Sequence, residues 1–236
     1  MKWTGARRQN ARVISAVLFD LDGLLADSEP LHCRAYRETL EVHGISITDA
    51  DYLEHWVRAG KGILELIEER GIAVGAATLR REKAERYEAL VRASLRPMRG
   101  AQAALERLAR SRTLALASSS YRDSVLCVTD HLRFTPFFAV IVGGSDVPRP
   151  KPEPDVFLRA AELLGVSPSE CLVVEDAEKG LVASRRAGMS CVVIPNAYTR
   201  GHDFTGAARV LSSLDELTVE LVDALASGVE VRRIVG

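Results

Sequence analysis

Five short hydrophobic runs alternate along the chain with longer segments in which apolar residues recur at helical spacing. Apolar runs of about four to eight residues that alternate with helices are typical of parallel strands buried on both faces of an open sheet. The pattern therefore predicts a doubly wound α/β fold with a parallel sheet. The predicted strands are residues 13–19, 113–117, 138–142, 171–174 and 191–194.

The first two predicted strands are separated by more residues than an ordinary crossover connection needs. The intervening sequence has helical patterns and no comparable strand, so we expect an all-helical domain inserted after the first strand. The predicted division is residues 31–95 for this inserted domain and residues 1–30 and 96–236 for the α/β core. The predicted helices are residues 34–43, 49–58, 62–70, 77–93 and 101–110.

Composition narrows the possible partners and location of the protein. The 236 residues are 47% hydrophobic and 27% charged, with a net charge of -1, which is typical of a soluble globular protein. Scattered arginines predict no nucleic-acid surface, and no apolar run reaches the roughly 20 residues of a membrane span. Four distant cysteines without a CxxC spacing favour reduced thiols, and we expect a cytoplasmic monomer.

Polar groups follow four of the five predicted strands. Ligands of open α/β sheets bind beyond the carboxyl ends of the strands, so we expect these groups to converge in one crevice. Asp20 and Asp22 lie one residue apart, a spacing that directs both side chains to the same side of a strand. The groups are Asp20 and Asp22, then Ser118, Ser119 and Ser120, then Ser145, Asp146 and Lys151, and finally Glu175 and Asp176.

Four converging carboxylates repel one another unless protons or a cation relieve them. Oxygen ligands select a hard cation, and Mg²⁺ held by a few carboxylates and a substrate phosphate is the usual outcome. Beside such an ion, Lys151 can neutralise a phosphate and Ser118 can donate a hydrogen bond to it. Asp20 is then a candidate nucleophile that forms an aspartyl-phosphate.

Each group also has a simpler structural interpretation. Residues 20–23 can be a turn, residues 118–120 can cap a helix, Lys151 can be a solvated loop charge, and Glu175 with Asp176 can cap the following helix. Their coincidence at successive strand ends favours a functional site.

Four segments together resemble the haloacid dehalogenase-like superfamily, and within it the helical-cap group that includes β-phosphoglucomutase and sugar-phosphate phosphatases. The resemblance extends over about residues 11–217 and implies a Rossmann-like core with a helical cap. The segments are residues 19–29, 116–120, 151–157 and 174–176, the last with Gly180 and residues 187–189 following it.

The resemblance implies roles for the matching residues around the phosphoryl group. Asp20 would be the nucleophile and Asp22 the general acid and base. Ser118 and Lys151 would hold the phosphoryl group, and Ser119 would contact the substrate. Because the dehalogenases and phosphonate-cleaving members lack an aspartate at the position of Asp22, phosphate-ester chemistry is favoured.

The resemblance also implies an Mg²⁺ site. Its ligands would be Asp20, the backbone carbonyl of Asp22, and Asp176 with Glu175 nearby. A phosphometabolite-binding protein without catalysis would lack the nucleophile or a metal ligand, and neither is missing here.

The predicted cap carries weaker signals. His32 and Lys83 match residues that β-phosphoglucomutases and phosphatases share, and Arg58 and Lys61 are further candidates for contact with the substrate. Trp56 either lines the pocket or belongs to the core.

A mutase also has a cap arginine that grips a distal phosphate, and here that position holds Ile63 or Glu65, neither of which can bind phosphate as arginine does. We therefore expect an Mg²⁺-dependent phosphatase acting on a small phosphorylated metabolite, with a β-phosphoglucomutase-type isomerase as the alternative.

Overall fold

The computed structural model describes residues 13–227. Within them, six parallel strands form one sheet in which β1 is central, in the order β3-β2-β1-β4-β5-β6. The predicted doubly wound parallel sheet is confirmed. The strands are β1 (Ala16–Phe19), β2 (Thr113–Ala117), β3 (Val140–Val142), β4 (Cys171–Glu175), β5 (Ser190–Val193) and β6 (Arg209–Val210).

Helices cover both faces of the sheet and also fill the insertion after β1. Within residues 13–227, five helices lie between β1 and β2, namely α1 to α4 of the insertion and α5, and the other four follow β2, β3, β4 and β6. The helices are α1 (Glu29–Val42), α2 (Asp49–Tyr52), α3 (Ile63–Arg70), α4 (Ala76–Ser94), α5 (Ala101–Leu108), α6 (Arg122–His131), α7 (Asp155–Leu164), α8 (Glu178–Arg186) and α9 (Val219–Ser227).

Alternation along β1 divides the core into two layers. Val17 and Phe19 pack on the side of α5, α6 and α9, whereas Ala16 and Leu18 pack on the side of α7 and α8. All four side chains are fully buried, which is why β1 is a continuous apolar run rather than an alternating one.

The insertion has a hydrophobic cluster of its own. Buried residues from α1, the segment 49–58, α3 and α4 pack together, among them Trp56 and Leu66. The expected all-helical insertion is therefore present.

Several element boundaries differ from those predicted. Helix α1 begins at Glu29 rather than at residue 34, because Pro30 fits in a first helical turn, where its missing N–H costs nothing. The predicted helix 49–58 is α2 followed by a π-helical segment, Leu53–Arg58. The two-residue strand β6 was not predicted, since it is too short to form an apolar run.

The chain termini fall outside the described residues. Residues 1–12 and 228–236 lie there, and with them the outer ends of the predicted core domain. Among residues 13–227, no helix combines the length and apolarity needed to cross a membrane.

The strand register sets the position of the site. Phe19 of β1 is level with Leu116 of β2 and Val174 of β4. The residues that follow these three positions therefore leave the sheet side by side at one edge.

Candidate active site

A buried lysine joins two of the predicted carboxylates. Lys151 Nζ donates to Asp20 Oδ1 at 2.5 Å, to Glu175 Oε1 at 2.6 Å and to the carbonyl oxygen of Ala117 at 2.8 Å. Its side chain is 1% exposed, so it is not a solvated loop charge. Burial alone would lower the pKa of Lys151, but the two carboxylates raise it above its ordinary value, and the ammonium stays charged.

Three carboxylates lie within reach of a single cation. Asp20, Glu175 and Asp176 are all buried, and each offers an oxygen within 4.8 Å of the others. Burial, together with the neighbouring carboxylates, raises the pKa of Asp20 to about 7 despite Lys151, and it raises the pKa of Asp176 well above its ordinary value. Three carboxylates and one ammonium leave two negative charges unbalanced, and the all-oxygen donor set suits a hard divalent cation such as Mg²⁺.

Glu175 is held tightly against the start of α8. Its Oε2 accepts hydrogen bonds from the backbone N–H groups of Asp176 at 3.1 Å and Ala177 at 3.3 Å. A Cβ on Gly180 would lie 1.9 Å from the Glu175 carboxyl carbon, so only glycine leaves room for the carboxylate there. The pair Glu175–Asp176 thus faces the site, and Glu175 reaches Lys151 rather than solvent.

The Asp22 carboxylate lies in a separate environment. It accepts hydrogen bonds from Ser28 and Ser120 hydroxyls, both at 2.6 Å, from Ser118 Oγ at 3.3 Å and from His32 Nε2 at 3.1 Å. Burial would raise its pKa, but His32 and the hydroxyls outweigh burial and hold the pKa well below the usual range. The carboxylate is outside the three-carboxylate cluster, so the predicted contribution of Asp22 to the metal rests on its backbone carbonyl alone.

Two residues of the insertion extend the contacts of Asp22. Lys83 Nζ donates to His32 Nδ1 at 2.7 Å, which leaves the proton on Nε2 for the bond to Asp22. The His32 ring stacks on Tyr87 with centroids 4.0 Å apart. Burial lowers the pKa of Lys83 to about 8, against the opposing effects of Asp22 and Glu29. The structure therefore brings the predicted residues His32 and Lys83 into one chain of contacts with Asp22.

The serines after β2 belong to the site rather than to a helix cap. Helix α6 follows Tyr121, and its first backbone N–H, that of Arg122, donates to Ser145 Oγ rather than to residues 118–120, whereas Ser118 Oγ accepts from the Ser120 backbone N–H at 3.0 Å. The Ser119 hydroxyl is buried and has no hydrogen-bond partner within residues 13–227. Ser119 thus offers a free donor on the cavity wall.

A cavity of about 600 Å³ lies between this edge of the sheet and the inserted helices. On the insertion side it is lined by Tyr36, Tyr52 and Trp56, whose ring centroids lie 4.3 to 6.2 Å apart. Trp56 comes from the π-helical segment and is 8% exposed, so it belongs both to the core of the insertion and to the cavity wall. π-Helical turns are common at functional sites because they redirect side chains in this way.

The two basic candidates of the insertion are placed differently. Lys61 lines the cavity, with its Nζ donating to Glu69 at 2.5 Å. Arg58 is not among the lining residues; its guanidinium is largely exposed and donates to Glu54 at 3.0 Å. The structure therefore does not bring Arg58 to the cavity.

Some residues of the site were missed in the sequence. Asn196 follows β5, the one predicted strand without a polar group assigned to its end, and it donates to Asp176. The strand-end rule would have found Asn196 if it had been extended by two residues. Arg80 and Lys179 also line the cavity, and they lie on helices where charged residues are common and carry no local signal.

Comparison with known proteins places this site in a family. Residues 17–194 match the family model of haloacid dehalogenase-like hydrolases. The protein CbbY of Rhodobacter capsulatus is 31% identical over 225 residues, covering 90% of this chain and 99% of CbbY. The fructose-1-phosphate phosphatase YqaB of Escherichia coli is 31% identical over 183 residues, covering 75% and 95% of the two chains.

Solved structures give the same result. CbbY from Rhodobacter sphaeroides in complex with phosphate superposes with a TM-score of 0.83 at 30% identity, covering 89% of this chain and 100% of that chain. A variant of the same protein in complex with xylulose-(1,5)bisphosphate has a TM-score of 0.80 at 30% identity, with 87% and 96% covered. The chain is therefore an enzyme of the haloacid dehalogenase-like hydrolase family.

Proposed function

We propose that the protein is an Mg²⁺-dependent phosphatase that hydrolyses a small phosphorylated sugar through an aspartyl-phosphate. The observation that carries the proposal is the cluster of Asp20, Lys151, Glu175 and Asp176 at the floor of a cavity with serine hydroxyls on its wall. When bound, Mg²⁺ would be held by Asp20, Asp176 and the Asp22 carbonyl, with Glu175 beside them, and would neutralise charge on the phosphoryl group.

The first chemical step assigns a role to each group on the floor of the cavity. A carboxylate oxygen of Asp20 attacks phosphorus, and the bond between phosphorus and the sugar oxygen breaks. Lys151 and the hydroxyls of Ser118 and Ser119 hold the phosphoryl oxygens during transfer. The departing sugar oxygen takes a proton from Asp22.

The second step uses Asp22 in the opposite direction. Water attacks the phosphorus of the aspartyl-phosphate, its proton passes to Asp22, and inorganic phosphate leaves with the Asp20 carboxylate restored. The four hydrogen bonds to Asp22 favour its ionised form, which is ready to act as this base. For the first step Asp22 needs a proton. His32 Nε2 gives this proton over 3.1 Å while His32 Nδ1 takes one from Lys83 Nζ at 2.7 Å, so the number of protons on the imidazole is unchanged.

The proposed substrate class rests on the cavity and on the relatives. A volume of about 600 Å³ accommodates a phosphorylated sugar, and aromatic rings on the wall suit the apolar C–H faces of a sugar ring. Relatives include a fructose-1-phosphate phosphatase and a protein crystallised with a sugar bisphosphate. Ile63 and Glu65 line the cavity where a mutase would need an arginine, which favours hydrolysis.

We further propose that the insertion moves as a cap about two adjacent connections. The Asp27 backbone N–H donates to the Arg96 carbonyl oxygen at 3.0 Å, and the Met98 N–H donates to that of Leu25 at 2.9 Å, so the two connections lie side by side. Closure over the cavity would exclude water during transfer to Asp20. The proposed units are residues 31–95 for the cap and residues 1–30 and 96–236 for the core.

Phosphate release from a panel of phosphorylated sugars tests the proposed activity. We expect turnover that requires Mg²⁺ and falls at least about 10⁴-fold in Asp20→Asn, because the nucleophile is lost. Asp223→Asn is the matched control, since Asp223 lies on α9 and is exposed, with Arg112 as its partner. Mass spectrometry of acid-quenched enzyme should find the added phosphoryl group on Asp20. Activity retained by Asp20→Asn would exclude the mechanism.

A second assay separates the phosphatase from the mutase. The enzyme is incubated with β-glucose 1-phosphate and a trace of glucose 1,6-bisphosphate. We expect free phosphate and no glucose 6-phosphate; accumulation of glucose 6-phosphate would instead support the mutase.

A further inference from the structure

The buried residue Asn196 follows β5 and connects three segments that are distant in sequence. Its Nδ2 donates to Asp176 Oδ2 at 2.7 Å and to the carbonyl oxygen of Gly23 at 3.0 Å. We propose that Asn196 is a positioning residue that orients the Asp176 carboxylate and the loop after Asp20 for the divalent cation. This inference rests on the Mg²⁺ dependence in the proposed function.

The orientation of the Asn196 amide is determined by its partners. Nδ2 has two N–H donors, and both are used by oxygens of the site. Oδ1 accepts from the backbone N–H groups of Tyr198 at 2.7 Å and Thr199 at 3.2 Å. Flipping the amide would place Oδ1 against two acceptor oxygens and Nδ2 against two donors. The side chain therefore presents its donors to the site in a single arrangement.

The backbone of Asn196 is held as well. Its N–H donates to Thr199 Oγ1 at 3.1 Å, so a short loop after β5 closes on itself around the amide. Because this loop is braced by its own hydrogen bonds, Asn196 provides a rigid support for Asp176 rather than following its movements.

Gly23 leaves the space that this contact needs. A Cβ at Gly23 would lie 2.4 Å from Asn196 Nδ2 and 2.8 Å from Asp176 Oδ2, and the φ of Gly23 is +77°. A side chain there would separate the amide from the carboxylate. The glycine of the first motif thus allows the end of β1, the end of β4 and the loop after β5 to meet.

The expected consequence is an effect on the affinity for the cation. Partners that orient a metal-ligating carboxylate typically contribute about 10- to 100-fold to metal affinity. Without Asn196, the Asp176 carboxylate loses the hydrogen-bond donor that fixes its orientation and can rotate. Catalysis should then fail at low Mg²⁺ and recover as the Mg²⁺ concentration rises, because the groups that act on the substrate are unchanged.

Isothermal titration of the metal-free full chain with MgCl₂ tests the proposal. We expect the Kd for Mg²⁺ to rise about 10- to 100-fold in Asn196→Ala. Asn196→Leu keeps the volume of the side chain and removes its N–H donors, so it should give the same result. It replaces the alanine variant in the titration if that variant does not fold. Thr199→Val is the matched control, because it removes the acceptor at Oγ1 and leaves Asn196 Nδ2 in place; its Kd should stay within about twofold of the unmodified protein.

Each outcome has a definite meaning. An unchanged Mg²⁺ affinity in both Asn196 variants would overturn the proposal, and so would an equal loss in Thr199→Val, because loop structure alone would then explain the effect. If the unmodified protein binds no Mg²⁺, the metal dependence of the proposed function fails and this inference fails with it. Recovery of kcat at high Mg²⁺ supports it when circular dichroism shows that the metal-free Asn196 variants are folded, because bound metal would also rescue an unfolded variant.

Discussion

The core edge and the cap contribute to the same cavity in different ways. At the core edge, the buried Lys151 ammonium donates to the buried carboxylates of Asp20 and Glu175, which lie 131 and 24 residues away in the sequence. In the cap, exposed charges such as Arg58 and Lys61 pair with glutamates of the cap itself.

This difference separates chemistry from specificity. Buried charges at the core edge depend on each other, so removing one leaves its partners uncompensated. Exposed cap charges are screened by solvent and can be exchanged at little cost in stability. We therefore expect the same substitution to lower activity and stability far more at the core edge than in the cap.

The largest effect is expected for Lys151→Met. The change leaves the Asp20 and Glu175 carboxylates without the ammonium group that they share, and it removes the proposed contact with the phosphoryl group. We expect kcat to fall at least about 10³-fold and the metal-free protein to lose about 3–5 kcal/mol of stability, measured by phosphate release and by denaturant unfolding. The matched cap change, Lys61→Met, should leave the stability nearly unchanged, because the ion pair of Lys61 with Glu69 is exposed and screened by solvent. Similar losses in both variants would contradict the proposed difference between the regions.

The second-largest effect on kcat is expected for Gly180→Ala. The added Cβ would lie 1.9 Å from the Glu175 carboxyl group and must displace it from Lys151. We expect a fall in kcat and in Mg²⁺ affinity of about 10- to 100-fold, as for other losses of support around a metal. Gly75→Ala is the control, because a Cβ there meets no atom within 4 Å. An unaffected Gly180→Ala enzyme would show that Glu175 does not need its present position.

Lys83 lies in the cap and connects it to the core edge through His32. Its deprotonation should set the alkaline limit of kcat. Its pKa is lowered to about 8 by burial, so it loses its charge above that pH, and with it the contact that orients His32 towards Asp22. We expect kcat to fall above pH 8, to about a tenth of its plateau at pH 9. Lys83→Arg, which stays charged, should move this alkaline limb to higher pH. An unchanged limb in the variant would assign the titration to another group.

The smallest effects are expected for the exposed cap charges. Arg58→Gln should leave kcat/KM within about twofold, because Arg58 lies outside the cavity and its ion pair is exposed. Lys61→Gln should raise KM several-fold, since Lys61 lines the cavity. Michaelis profiles on one sugar phosphate measure both. A larger effect of Arg58→Gln would show that closure brings this side chain to the substrate.

The core half of the site could be predicted because its polar residues directly follow predicted strands. An apolar run followed by Asp20, by Ser118 or by Glu175 carries two signals at once, burial and chemistry, and parallel strands bring their ends to one edge. Asn196 followed the same rule but lies two residues beyond the predicted strand 191–194. The cap half could not be predicted as well, because the contact of Lys83 with His32 spans 51 residues and depends on how two helices pack.

The sequence by itself determined the fold class, the helical insertion and the types of residue at the sheet edge, because the hydrophobic period and the residues after each strand are local properties. Only the tertiary structure decided which groups share a proton or a charge. It placed Lys151 between two carboxylates, placed the Asp22 carboxylate apart from them, and left Arg58 outside the cavity. Charge balance and burial depend on atoms brought together from distant segments, and no local pattern records them.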